Sequence, residues 1–347
     1  MKQKKITIKE VAQIANVSKG TVSRVLNNEA GVGDANRERI QKIMKDLNFE
    51  PNEIARGLAS RRTGNIGFII PHEAGYYLSN NYWPILLSAI TKQAAQKEYH
   101  VLLSTPQVEG KIDDAYKRIL KGKRVDGLII GSELLSLKQL DFLHHQAVPF
   151  VLVGKHSHVQ NNFVDIDNRG AMISLTEHVI SMGAKKILFI AGPRDYPSVQ
   201  ERIQGFEDCV EKYQLPHTQI CHSYYDVPIV DNLIHDYIIT KGKPDAIISG
   251  AGDFVIQIIE ACKKQKLRIP QDLHFASFDF FKYFSMMSPA ITSIAQPLEE
   301  VGITAFSMLI NLIKKSSQSP QPPQILPCRL IKGESCGENS SEPFNKP

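Results

Sequence analysis

Apolar positions along the chain follow two rhythms, and the change comes near residue 65. Up to residue 49 the rhythm is helical. Ile8, Val11, Ala12 and Ala15 recur at i, i+3, i+4 and i+7, which predicts a short helix over 8–15 with one apolar stripe. Thr7 stands at its N-cap with Glu10 three residues later, the spacing of a capping box. Residues 16–18 form a three-residue turn, and Ser18 caps a second helix over 19–28. Val22, Val25 and Leu26 face inward on it; Lys19, Gly20, Thr21, Ser23, Arg24 and Asn27 face outward. A third helix starts near Asp34, with Ile40, Ile43, Met44 and Leu47 as its stripe. Beyond Ile66, short apolar runs alternate with helical stretches. Strands are predicted at 67–70, 101–104, 127–130, 150–153, 187–191, 246–249, 274–279 and 291–296, and helices at 85–97, 112–122, 171–183, 198–213, 253–265 and 298–315. Repeated βα units with unbroken apolar strands imply parallel sheets covered on both faces, and about 270 residues suits two of them.

Charge separates the same two parts. Residues 1–62 hold 13 Lys and Arg against 7 Asp and Glu, a net of +6, while the rest of the chain is at −1. A basic module on a near-neutral body points to a polyanion, nucleic acid before membrane; a solubilising surface is the plain alternative. No run approaches the roughly 18 apolar residues a membrane span needs, and no partner membrane is expected. The start is basic without an apolar stretch, so no secretory signal is expected. Five cysteines, an odd count with no CxxC pair, read as reduced thiols in a cytoplasmic protein.

Two helices joined by a three-residue turn, the second polar and basic, make a helix-turn-helix pattern, whose second helix enters the major groove. Arg24 can form bidentate bonds to guanine and Ser23 can reach a base edge, while Ser18 and Thr21 offer hydroxyls to phosphates. A three-helix packing module without a ligand has the same pattern. The segment 49–65 follows, with Pro51 and Asn52 at its start and a small apolar face from Ile54, Ala55, Leu58 and Ala59. It is too short to be a stable isolated helix, and Gly57 weakens it further; a plain connector is the alternative.

The string TIKEVAQIANVSKGTVSRVLNN closely resembles the head of the lac repressor (LacI) family of bacterial transcription regulators. The resemblance continues more weakly through VDIDNRGA (164–171), SVQERIQGF (198–206), SFDFF (277–281) and ITSIAQP (291–297), and so spans nearly the whole chain. It implies a DNA-binding head at 1–50, with Thr7, Ser18, Lys19, Gly20, Thr21, Ser23, Arg24 and Asn27 at the DNA. Lys19 and Gly20 fall on the family's operator-choosing positions. It implies a hinge helix at 51–65 that orders on specific DNA, with Asn52, Ala55 and Leu58 at the minor groove and Leu58 as the wedge that kinks it. It also implies a periplasmic-binding-protein-like body at 66–335, with two parallel-sheet subdomains, crossovers near 155–162, 288–292 and 320–325, an effector cleft between the subdomains, and a tail at 336–347.

For the cleft, the resemblance places Arg202, Asp279 and Gln296 at ligand positions and Trp83 where the family carries stacking aromatics. Ser198 lies one helical turn before Arg202, and Asp253 opens a helix after a strand end. A guanidinium fork and carboxylate acceptors suit sugar hydroxyls, and a flat ring suits a pyranose face. Each has a structural alternative: a salt bridge for Arg202, a cap for Asp279 or Asp253, core or rim for Trp83. Gly252 stands where the family usually has Asn, and Gly333 where it usually has Arg.

No Walker loop, GxSxG elbow or HExxH is present, so no enzyme is expected. His144-His145 and His156-Ser157-His158 lack a third ligand at metal spacing, and neither metal nor cofactor is expected. The tail carries no leucine heptad, so the expected assembly is a homodimer on pseudo-palindromic operator DNA. The resemblance implies a repressor of carbohydrate-utilisation genes released by a sugar. A purine, phosphosugar or protein corepressor is the alternative, and an enzyme or carbohydrate-binding protein with an incidental helix-turn-helix is the remaining one. VLVGKHSHVQNNFVDIDNRGA resembles the family's maltose and oligosaccharide regulators in low-GC Gram-positive bacteria.

Overall fold

The computed structural model describes residues 6–26, 29–49, 62–72, 81–105, 112–146, 148–215, 218–223, 227–314 and 320–337. The chain divides into two units, residues 1–64 and 65–347. In the first, α1 (Ile8–Ile14), α2 (Lys19–Leu26) and α3 (Asp34–Asp46) enclose a core of Val11, Ala12, Ala15, Val22, Val25 and Ile40. The expected capping box is present: Thr7 N and Oγ1 donate to Glu10 Oε2 at 2.8 and 2.9 Å, and Thr7 Oγ1 accepts from Glu10 N at 3.4 Å. The turn after α1 is sharp because Asn16 takes φ 49°. Val17 N then bonds Ala12 O and Asn16 N bonds Gln13 O, which satisfies the last carbonyls of the helix in a Schellman arrangement.

The second unit holds two six-stranded sheets. The first has the order β11-β5-β4-β3-β1-β2, all parallel, from β1 (Asn65–Ile69), β2 (His100–Ser104), β3 (Gly127–Gly131), β4 (Phe150–Val153), β5 (Phe163–Ile166) and, late in the chain, β11 (Gln324–Leu326). The second has the order β12-β10-β9-β8-β6-β7, from β6 (Ile187–Ala191), β7 (Gln219–His222), β8 (Ala246–Ser249), β9 (His274–Ser277), β10 (Thr292–Ala295) and an antiparallel β12 (Arg329–Ile331). Central strands β3, β6 and β8 are buried throughout, as helices on both faces require. Alternate residues serve opposite faces: Ile66, Phe68 and Ile70 join one core cluster, and Ile69 joins another. Helices α4 (Tyr82–Gln96) and α11 (Leu298–Lys314) cover one face of the first sheet, and α5 (Ile112–Leu120) and α6 (Leu137–His145) the other. Helices α7 (Asn168–Ser181) and α8 (Pro197–Lys212) cover one face of the second sheet, and α9 (Val227–Lys241) and α10 (Val255–Lys264) the other.

The expected crossovers are displaced. Residues 155–162 join β4 to β5 within one sheet, and the chain first changes sheets after Ile166, through α7. It returns after Ala295, through α11, rather than at 288–292, and changes again between Leu326 and Arg329 rather than at 320–325. Strands β5, β7, β11 and β12 and helices α6 and α9 were not anticipated from periodicity. The body also runs past residue 335: Cys336 is fully buried in a 3-10 turn, Glu334–Cys336.

Gly333 now has a reason. A Cβ there would lie 2.6 Å from Ala290 O and 2.8 Å from Thr292 N, so the arginine that the resemblance leads one to expect would have no room at its root. The backbone closes directly instead, with Gly333 N donating to Thr292 Oγ1 at 2.9 Å and Thr292 Oγ1 donating to Gly333 O at 3.0 Å.

Candidate functional site

Strand ends of both sheets meet at one cavity. From the first sheet, Ser132 and Glu133 follow β3, Gly154 and Lys155 follow β4, and Asp165 and Ile166 close β5. From the second, Ala251 follows β8, Asp279 and Phe281 follow β9, and Gln296 follows β10. Parallel sheets place ligands beyond their carboxyl ends, and here two such ends share one space. The space open to the centres of water molecules is about 80 Å³, so the cavity has room for several waters. All six residues named from the sequence line this cavity: Trp83, Ser198, Arg202, Asp253, Asp279 and Gln296.

Their geometry differs from simple ligand donors. Arg202 lies on α8, four residues after Ser198. Its Nε donates to Asn168 Oδ1 at 2.9 Å, its Nη1 donates to the Gly250 carbonyl at 2.8 Å, and its Cζ sits 3.8 Å from the centre of the Phe278 ring. It is therefore held rigidly by neutral acceptors and an aromatic face, not by a carboxylate. Asp279 Oδ2 accepts from Gly252 N at 2.7 Å, and its Oδ1 accepts from Gln296 Nε2. Asp253 lies in the 3-10 turn Gly252–Phe254 at the cavity wall.

Trp83 requires a correction. It touches the cavity but is only 2% exposed, and its ring packs against Phe68, His72 and Tyr82 at centroid distances of 6.2, 5.9 and 5.0 Å. Little ring face is left to stack on a pyranose; Trp83 is a wall of the core. Gly252, where the resemblance leads one to expect Asn, faces the Phe281 ring: a Cβ would sit 2.4 Å from its Cε2 and 3.0 Å from Asp279 Cβ. Phe281 occupies the space of the missing polar side chain and supplies an apolar face to the cavity.

Several lining groups escaped the sequence reading: Tyr82, Glu133, Lys155, Asp165, Asn168 and Phe281. Asp165 accepts from Lys155 N at 2.8 Å, from Ile166 N at 2.7 Å and from Asn168 Nδ2 at 3.3 Å. Burial nevertheless pushes its carboxyl up to about 6, against the lowering effect of those backbone donors. Lys155 Nζ reaches Glu201 Oε1 on α8 at 2.5 Å, a bond between the two sheets' sides of the cavity, and this partner raises the lysine's pKa. Glu133 Oε2 lies 2.7 Å from His72 Nε2. Burial, then Glu133 and Asp165, hold the Tyr82 phenol well above its ordinary range. The sequence signal for Asp165 and Asn168 was the string VDIDN itself; the others carry no local pattern. Among the described residues no group of three or more His, Cys, Asp or Glu could hold a metal, and no helix is long and apolar enough to cross a membrane.

On the head, Ser18, Lys19, Gly20 and Arg24 are exposed on or beside α2, with Thr21 and Ser23 half-buried. Ser18 Oγ accepts from Thr21 N at 3.1 Å and lies 2.9 Å from Thr21 Oγ1, so these two hydroxyls also build the cap. Thr7 is tied into its capping box. Asn27, Asn52, Ala55 and Leu58 lie outside the described residues.

Two family models match the chain. The model described as bacterial regulatory proteins, lacI family, matches residues 7–52, and that for periplasmic binding proteins and the sugar binding domain of the LacI family matches 63–334. The chain is 29% identical over 326 residues to catabolite control protein A of Staphylococcus xylosus, covering 94% of this chain and 97% of the relative. It is 28% identical over 336 residues to the ribose operon repressor of Halalkalibacterium halodurans, covering 96% and 98%. The solved lac repressor dimer bound to operator and the anti-inducer ONPF matches with a TM-score of 0.82 at 23% identity, over 96% of this chain and 99% of that one.

Proposed function

Because the chain belongs to the lacI family of bacterial regulatory proteins, we propose that it is a sequence-specific repressor of carbohydrate-utilisation genes, released from its operator by a sugar bound between the two sheets. The observation that carries this reading is the polar cavity at the facing carboxyl ends, where Ser198, Arg202, Asp253, Asp279 and Gln296 meet. Its walls belong to both sheets, so a ligand filling it interacts with both and favours one relative placement of the two. A homodimer reads a pseudo-palindrome with one α2 per half-site. Movement of the sheets within each protomer alters the hinge segment 51–65, and with it the fit of both heads to DNA. The loss of DNA affinity equals the ligand's differential affinity for the two states. The chain's task on this reading is regulation, not turnover.

The test is fluorescence anisotropy of the full chain on a labelled palindromic operator from its own promoter region, repeated with a panel of mono- and disaccharides. Tight, salt-dependent binding reversed by one sugar is expected. Absence of sequence-specific binding would overturn the repressor reading.

A further inference from the structure

The first sheet has two chemically different ends. Its carboxyl edge opens on the cavity, and its amino edge is rimmed by cations. Lys97 precedes β2, and Lys121, Lys123 and Arg124 precede β3. Lys314 ends α11 at the same edge, since a Cβ on Gly127, the first residue of β3, would lie 3.1 Å from Cδ1 of the neighbouring Ile313. All five are exposed. Glu98 and Asp126 are the acids of the same connections. Among the described residues, none of the five cations has a carboxylate within ion-pair distance. The chain beyond residue 62 is at −1 overall, so this excess is local. Cations complement the dipole at helix C-termini, which accounts for Lys97, Lys121 and Lys314. It does not account for Lys123 and Arg124, which lie past the end of α5. There Gly122 and Lys123 take φ 78° and 50° and turn the chain so that three cations fall within four residues.

This turn is pinned to the point where the chain enters the body. Asn65 Nδ2 donates to Arg124 O at 3.0 Å, and Asp126 N donates to Asn65 O at 2.8 Å. Strand β1 lies between β2 and β3, so the entry point has Lys97 on one side and the Lys121–Arg124 turn on the other. We propose that this amino edge is a second, sequence-independent DNA-binding surface, which takes phosphates of the duplex whose bases the head reads. The proposal rests on the reading of the chain as an operator-binding regulator. The stretch from Phe49, at the end of the head's core, to Asn65 spans at most about 55 Å even fully extended. DNA held by the head is therefore present at high effective concentration for the edge. A duplex carries one negative charge per roughly 1.7 Å of axis. Lysine ammonium groups and the Arg124 fork suit its phosphate oxygens. Such contacts add affinity and salt dependence and select no sequence.

The test is fluorescence anisotropy of the full chain on its operator and on random duplex DNA, between about 50 and about 200 mM salt. One variant combines Lys121→Gln, Lys123→Gln and Arg124→Gln. A control removes equal charge at the amino edge of the second sheet, on the far side of the cavity, with Lys185→Gln, Lys241→Gln and Lys243→Gln; these three are exposed as well. At about 0.9 per phosphate neutralised, the slope of log Kd against log salt should fall by about 2–3 in the first variant, on both DNAs, and stay at the parental value in the control. Lys123→Gln alone should lower it by about 1, which keeps the test open if the triple variant folds poorly. A parental slope in both edge variants overturns the proposal and leaves the surface to an acidic protein. An equal fall in the edge and control variants reduces the effect to net charge and overturns it too, as does a fall confined to the operator. A parent that binds no operator overturns the repressor reading itself, whereas a parent that binds and edge variants that match it overturn this proposal alone.

Discussion

Replacing Arg202 by Met should damage the body before any ligand is added. The side chain keeps its apolar stem and loses its guanidinium with all its donors. Asn168 Oδ1 loses a bond of 2.9 Å and the Gly250 carbonyl one of 2.8 Å, and both residues are buried. A buried acceptor left without its donor costs about 1–3 kcal/mol, and loss of the contact with Phe278 adds about 0.5–2 kcal/mol. Water from the adjoining cavity can reach part of this network, so the net loss is about 2–4 kcal/mol. For a unit of this size that lowers the melting temperature by about 3–7 °C. Scanning calorimetry of the body's transition is the assay, with Arg202→Met, Asn168→Ala and the double variant. The double variant should lose less than the sum of the singles by about 1–2 kcal/mol, because the two residues share one bond. A melting temperature within 1 °C of the parent, combined with loss of the effector response, would refute the argument: Arg202 would then serve the ligand alone.

Other consequences are equally open to measurement. Asp165 has a folded-state pKa of about 6, above the roughly 3.9 of an unfolded aspartate, so between these values the folded state holds the extra proton. The contribution of Asp165 to body stability should therefore fall by about 3 kcal/mol as pH rises from about 4 to about 6. Urea unfolding across that range should show a flatter descent in Asp165→Asn, and parallel curves would remove Asp165 as the cause. Gly20→Ala should stabilise α2 by up to about 1 kcal/mol, since its Cβ meets nothing closer than Ser18 Oγ at 3.6 Å; circular dichroism of the head's melting decides it, and destabilisation would show a hidden clash. Leu58→Ala should weaken operator binding far more than binding to random DNA in anisotropy titrations, and equal losses would contradict a wedge at the minor groove.

Much of this could be read from the chain because the signals were local. The capping box at Thr7 and Glu10, the Asn16 turn and the stripes of α1 to α3 all act within four or five residues. Buried central strands declare themselves as apolar runs for the same reason. What failed was non-local. The polar loop 155–162 resembles a passage between subdomains, yet β5 returns to pair with β4, and no pattern in Phe163–Ile166 says which sheet it joins. Helix α9 carries apolar residues on most sides, so its periodicity is weak. In the site, Glu133, Lys155 and Asp165 follow or end three different strands and become neighbours only through the sheet order. Trp83 was misjudged because an aromatic near a helix start serves a core as readily as a ligand.

The late strands bear on how the protein is made. Each sheet receives an edge strand from the end of the chain, β11 in one and β12 in the other, and Gln321 N bonds Asn162 Oδ1 across 159 residues. The fully buried Ser335 completes the second sheet's floor by donating to the Phe275 carbonyl at 2.6 Å. The head's core, by contrast, is complete by residue 49. At roughly 5–20 residues per second of synthesis, about 15–60 s separate the finished head from the residues that close both sheets. During that interval the nascent chain carries a DNA-reading module with no ligand-responsive body to govern it. A product terminated before residue 324 stays in that condition permanently, with both sheets missing an edge.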